Sequence, residues 1–125
     1  MRVLVCGGRD FNDKEYVYYA LDWYAEGRKN HPITTVIHGD ARGADTLAGQ
    51  WATERKLLVI ACPAEWDKHG RAAGSMRNLY MLTLNPRIVL AFPGGYGTEH
   101  MKRSALKQRV PVLELIHVVP MLPRV

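Results

Sequence analysis

Five short runs of aliphatic and β-branched residues divide the chain into regular segments. They are Arg2 to Cys6 (RVLVC), Ile33 to His38 (ITTVIH), Leu57 to Cys62 (LLVIAC), Arg87 to Phe92 (RIVLAF) and Val110 to Leu115 (VPVLEL). The first reads as a strand covered on both faces. Between the runs lie segments with helical signals. Asn12-Asp13-Lys14-Glu15 has the form of a helix start, with Glu15 placed to reach back to the cap. That helix is expected to run to about Lys29, with Tyr16, Tyr19, Ala20, Trp23 and Tyr24 as its apolar stripe. A second helix is expected from Ala44 to about Lys56, with Leu47, Ala48, Trp51 and Ala52 on one side. A third is expected from Arg71 to about Thr83, with Met76, Leu79, Tyr80 and Leu82 as apolar candidates, and a fourth from Thr98 to about Gln108.

Strands that alternate with helices make a parallel sheet with helices on its faces. The expectation is an α/β fold: a Rossmann-like, doubly wound, mainly parallel five-stranded sheet with helices on both faces. Strand 1 should be central and the connections right-handed. Pro111 places strand 5 at an edge, because proline cannot donate to the ladder.

A length of 125 residues suits one domain, and an apolar fraction of 47% with 23% charged residues excludes a disordered chain. Residues 1–115 are read as that domain and residues 116–125 as a C-terminal tail. The tail's Val118, Val119, Met121 and Leu122 suggest a homo-oligomer contact. Two cysteines, Cys6 and Cys62, make no disulfide framework. No secretory signal and no membrane-length apolar run is present, so a cytoplasmic location is expected. The net charge of +5 suits an anionic partner.

Nine of the eleven glycines follow a strand or open the next helix. In a parallel sheet these positions share the carboxyl rim, where open α/β sheets bind ligands. Glycine allows close approach of the backbone, and each helix start offers unpaired N–H groups at the positive end of its dipole. Together these features favour a phosphate. The alternative is that such loops need turn residues in any case.

Four loops carry the candidates. Loop 1 (Gly7, Gly8, Arg9, Asp10, Phe11) lacks the full dinucleotide glycine spacing; Arg9 could fork onto a phosphate and Asp10 accept from a ribose hydroxyl, or both could pair with neighbours. Loop 2 (residues 38–45) brings Gly39, Asp40, Arg42 and Asp45 together. Asp45 also suits a helix N-terminus for purely structural reasons. His38 reads as a hydrogen-bonded structural histidine. Loop 3 (residues 63–74) embeds Trp66 among charges, where it could stack on a base or pack under the loop; Arg77 and Asn78 follow it on the next helix. Loop 4 (Pro93, Gly94, Gly95, Tyr96, Gly97, Thr98) is the most specific feature, with backbone N–H groups and a hydroxyl placed to wrap a phosphate.

Taken together, Gly-Gly-Arg-Asp-Phe, His-Gly-Asp-Ala-Arg-Gly-Ala-Asp, Pro-Ala-Glu-Trp, Ala-Gly-Ser-Met-Arg-Asn and Pro-Gly-Gly-Tyr-Gly-Thr resemble the SLOG superfamily, and most closely its YspA-like (cpYpsA-related) branch. The resemblance spans strands 1 to 5. It implies a Rossmann-like binder of nucleotides or nucleotide-derived ligands, with roles in conflicts between bacteria and phages, and a homo-oligomeric habit. More distantly it is similar to the Lonely-guy phosphoribohydrolases, whose motif runs Pro-Gly-Gly-x-Gly-Thr-x-x-Glu. Met101 stands at the position of that glutamate, and Glu99 lies two residues earlier, about 200° away around a helix. The phosphate-binding part of the motif is carried over; the glutamate is not.

The leading expectation is therefore a sensor or sequestering protein for a nucleotide-like small molecule. The alternative is a hydrolase of an N-glycosidic bond, for which Asp40, Asp45 and Glu99 are the candidate carboxylates and Asp10 the reserve. Nucleic-acid binding through Lys102, Arg103, Lys107 and Arg109 is disfavoured, since a charge run is ordinarily a solvated helix face. The five dispersed histidines match no metal-ligand spacing, and no membrane partner is expected. No cofactor is required, though Mg²⁺ could arrive on the ligand's phosphates.

Overall fold

The computed structural model describes residues 1–116. Strands β1 (Arg2–Cys6), β2 (Thr35–His38), β3 (Leu58–Ala61), β4 (Ile88–Ala91) and β5 (Val112–Glu114) form one sheet in the order β3-β2-β1-β4-β5. Every pairing is parallel. Strand β1 is central and β5 is an edge, as Pro111 requires. The helices are α1 (Lys14–Glu26), α2 (Ala44–Glu54), the short α3 (Trp66–His69), α4 (Ala73–Leu82) and α5 (Tyr96–Lys107). The fold is the doubly wound, Rossmann-like α/β arrangement.

The strands feed two cores by alternation. Val3, Val5, Val36, Leu90 and Phe92 point towards α1 and α2, where Val17, Leu21 and Trp51 complete the packing. Leu4, Cys6, Ile37, Val89 and Ala91 point the other way, towards Met81, Leu82, Met101 and Ala105 of α4 and α5. Fully burying an aliphatic or Phe side chain is worth about 1.5–3 kcal/mol, so both faces of the sheet contribute. The chain winds outward from β1 through β2 to β3, then crosses to β4 on the other side. The carboxyl ends of β1 and β4 thus flank the topological switch point, where a crevice opens.

Several local expectations change. The cap of α1 is Asp13, not Asn12: its carboxylate accepts from the Tyr16 N–H at 3.0 Å. Glu15 is then too early in the helix to close a capping box, and α1 stops at Glu26 because Gly27 caps it. Trp66 opens a short helix where an irregular stretch was expected. Helix α4 turns a different face inward. Ala73, Asn78, Met81 and Leu82 are buried, while Met76, Leu79 and Tyr80 are exposed. Of the tail, Ile116 is anchored by its carbonyl, which accepts from the Tyr16 hydroxyl at 2.8 Å. Val118, Val119, Met121 and Leu122 lie outside the described residues.

Candidate functional site

Gly8 joins three of the four loops. Its N–H donates to the Pro93 carbonyl at 2.8 Å, and its carbonyl accepts from the N–H groups of Phe11 (3.2 Å) and Ala44 (3.3 Å). Such close approach excludes side chains. A methyl group at Gly94 would strike the Thr98 hydroxyl and the Gly8 N–H, and one at Gly43 would strike the Gly8 carbonyl. Gly43 also has φ +80° and ψ −130°, a conformation open in practice only to glycine.

The start of α5 is built differently. Its cap, Gly95, supplies no side-chain bond. The Glu99 N–H donates to the Gly95 carbonyl at 3.1 Å. The N–H groups of Tyr96, Gly97 and Thr98 precede that bond and have no helical acceptor. Apart from the adjoining residues and the helix's own backbone, no atom lies within 4 Å of where a Cβ would stand on Gly95 or Gly97. This turn opens on a cavity of about 650 Å³ at the switch point, a volume typical of small-molecule sites.

Below it, a polar frame holds the loops in place. Asp45 is 5% exposed, and its Oδ2 accepts from the N–H groups of Gly39 (3.0 Å) and Ala41 (3.3 Å). Burial pushes its pKa up to about 6, against the pull of those bonds and of Arg77. The Arg77 Nη1 donates to the Gly39 carbonyl, and its Nε donates to Asn78 Oδ1 at 3.2 Å. Burial lowers the pKa of this guanidinium, with Asp45 opposing. Asn78 is buried, and its Nδ2 donates to the Gly97 carbonyl at 3.1 Å, which ties α4 to the first turn of α5. Cys6 lies at the base of the cavity, and burial raises its thiol to about 12, so it stays protonated. His38 is also buried: its Nδ1 accepts from the Asp40 N–H at 2.9 Å, and burial lowers its pKa, which keeps the ring neutral.

The YspA, cpYpsA-related SLOG family model matches residues 1–69. The gene 61 protein of Mycobacterium phage D29 is 38% identical over 120 residues, covering 90% of this chain and 94% of the phage protein. The chain belongs to the SLOG family. No solved structure matches it.

In this SLOG protein, loops 1 and 4 line the cavity with Asp45, Trp66, Arg77 and Asn78. Gly39, Asp40 and Arg42 do not; they line a smaller adjoining cavity. The remaining expectations meet specific geometry. Asp10 pairs with Arg42 at 3.1 Å on the surface, so Asp10 takes the neighbour-pairing alternative stated for it. Trp66 is 45% exposed, and the Arg9 guanidinium sits 5.2 Å from its ring centroid. A base stacking on that face would displace Arg9. The Thr98 side chain is buried against Gly94 rather than free to turn. Glu99 does not line the cavity; it pairs with Lys102 at 2.6 Å, and Lys102 also bonds Glu114 of β5. Met101 is fully buried in the core beneath α5.

Gly74, one of the nine rim glycines, also lines the cavity, with Arg71 and Ser75, which were not singled out in the sequence. Their signal was present. Positions 71, 74, 75, 78 and 81 follow helical spacing and define one face. Its polar and small residues make a weaker signal than the apolar Met76, Leu79 and Tyr80 on the opposite side.

Proposed function

We propose that this protein binds a nucleotide or nucleotide-derived small molecule in the cavity at the switch point, as a sensor or sequestering protein. The phosphate would rest on the N–H groups at the start of α5. The observation that carries this reading is the open first turn of α5, where Gly95 and Gly97 leave the backbone uncovered. Membership of the SLOG family supports a nucleotide-related ligand. The phage origin of the relative supports a role in the contest between phage and host. Mg²⁺, if the ligand brings it, would sit on the phosphates rather than on a protein cage. No helix among the described residues is long and apolar enough to cross a membrane.

Hydrolysis of an N-glycosidic bond gains less support. Glu99 is drawn away by Lys102, Asp40 lies off the main cavity, and Asp45 spends one oxygen on two backbone N–H groups. A thermal-shift screen tests the reading directly. The panel comprises nucleoside monophosphates, NAD, ADP-ribose, cyclic ADP-ribose forms and cyclic oligonucleotides. A ligand at 100 times its Kd adds about 2.7 kcal/mol and should raise Tm by several degrees. The expected hit is recovered unchanged; recovery as base and ribose phosphate would make the protein a hydrolase. Gly95→Asp should fold normally and lose the shift, because it puts a negative side chain where the phosphate would lie. A folded Gly95→Asp variant with undiminished affinity would sink the assignment.

A further inference from the structure

The smaller cavity, about 380 Å³, lies between loop 2 and the start of loop 3. It shares Arg9, Ala41, Trp66 and Arg77 with the larger one. The Arg9–Trp66 stack and Arg77 therefore stand between the two spaces. The lining of the smaller space holds three guanidinium groups, from Arg9, Arg42 and Arg77, against one carboxylate, from Asp40. Three like charges facing one space repel one another, and an anion placed among them relieves that repulsion.

Three of the loop 2 amides beside this space are already engaged. The N–H groups of Gly39 and Ala41 are taken by Asp45, and that of Asp40 by His38. The charge here comes from side chains, in contrast to the amides at the start of α5. They are suited to the task. Arg77 is fixed by its bonds to Gly39 and Asn78, which orients its charge in advance. Arg9 has no carboxylate partner among the described residues and rests on Trp66. Arg42 is held by its pair with Asp10, and with side-chain exposures of 74% and 92% such a pair opens at little cost. Guanidinium forks match the oxygens of a phosphate in pairs.

We propose that the smaller cavity is a second anion subsite, suited to a second phosphate group of the same ligand. The ligand would then be a nucleotide derivative whose two phosphates lie on either side of the Arg9–Trp66 stack. This rests on the reading of the α5 turn as the first phosphate site, and the test separates the two.

Uniformly ¹⁵N-labelled protein is titrated with inorganic phosphate and followed by NMR. Two sets of signals are read: the backbone amides of Tyr96, Gly97 and Thr98, and the Nε–Hε groups of Arg9 and Arg42. Both sets should shift, each with its own dissociation constant. Arg42→Gln should weaken the constant reported by Arg9 by about tenfold and leave the amide set unchanged, as expected for one lost charge-assisted contact. Gly95→Asp should remove the amide shifts and spare the arginine shifts. The second subsite is overturned if Arg9 and Arg42 do not shift. It is equally overturned if they shift no more than Arg28, which stands over Tyr24 away from both cavities, or if Arg42→Gln changes nothing. Arginine shifts without amide shifts would uphold the second subsite and defeat the first.

Discussion

Loops 1 and 2 are filled with glycine for a different reason than loop 4. On the first side the missing side chains are replaced by protein. A Cβ on Gly7 would stand 2.6 Å from that of Ala44, and one on Gly39 would stand 2.9 Å from the Asp45 carboxylate. On the other side, at Gly95 and Gly97, they are replaced by open space. The first group lets three loops close on each other, and the second leaves a helix start uncovered. A glycine-rich rim is thus two devices side by side: one assembles the wall of the cavity and the other leaves backbone groups open to it. Gly94 belongs to the first device although it sits in the loop of the second, because Thr98 and Gly8 crowd it.

That division predicts opposite responses to similar substitutions. Gly43→Ala should have the largest effect, about 4 kcal/mol of lost stability in chemical denaturation, because it combines a forbidden backbone conformation with a collision at Gly8. A cost below about 1 kcal/mol would erase the distinction between crowded and open glycines.

Asp45 sharpens the picture through pH. Its folded pKa of about 6 lies above the ordinary value of 3.8, so the folded state holds the proton more tightly. Its contribution to stability should be greatest below about pH 4 and fall as pH rises through 6, by on the order of 2–3 kcal/mol. Subtracting the stability of Asp45→Asn from that of the parent at each pH should isolate this slope, and a flat difference would show that the carboxylate is not held as described.

Asn78 joins the two halves, so Asn78→Ala should cost about 1–3 kcal/mol by leaving the Gly97 carbonyl and the Arg77 Nε short of a partner. It should also loosen the α5 turn, seen as faster amide exchange at Tyr96 to Thr98. The smallest effect is expected at Gly95→Ala, within about 0.5 kcal/mol, since nothing lies near the added methyl group. A large loss there would mean that the open half is structural too.

The alternation of apolar runs and helical segments made the sheet, its central strand and its proline-bearing edge readable in advance. The rim was readable as well, because the end of each strand in a parallel sheet must lie on one side. What escaped the sequence was the result of contacts between distant segments. The stripe of Met76, Leu79 and Tyr80 looks like the core face of α4, yet α4 turns Asn78 inward because the Gly97 carbonyl and the ring of His100 offer it partners. Glu99 looked available until Lys102, itself shared with Glu114 of β5, claimed it. Asp40 and Asp45 lie five residues apart, and the sequence favours Asp40 as the polar contact because Asp45 also suits a helix start, yet it is Asp45 that lines the main cavity. One takes φ +56° at the loop tip and stays exposed, while the other turns under the loop and caps it. No periodicity separates those fates.

The meeting of Gly8 with Pro93 and Ala44 has a consequence for the order in which the molecule matures. Residues 8, 44 and 93 are far apart in the chain, and contacts of such long range form late because a large loop must close first. A nascent chain that has emerged through its third strand holds β1, β2 and β3 but lacks the β4 side of the crevice. The crevice appears only when β4 docks beside β1 and brings Pro93 to Gly8. On the proposed function, ligand capture needs the chain through β4, and a fragment cut before Pro93 should fail to bind the ligand.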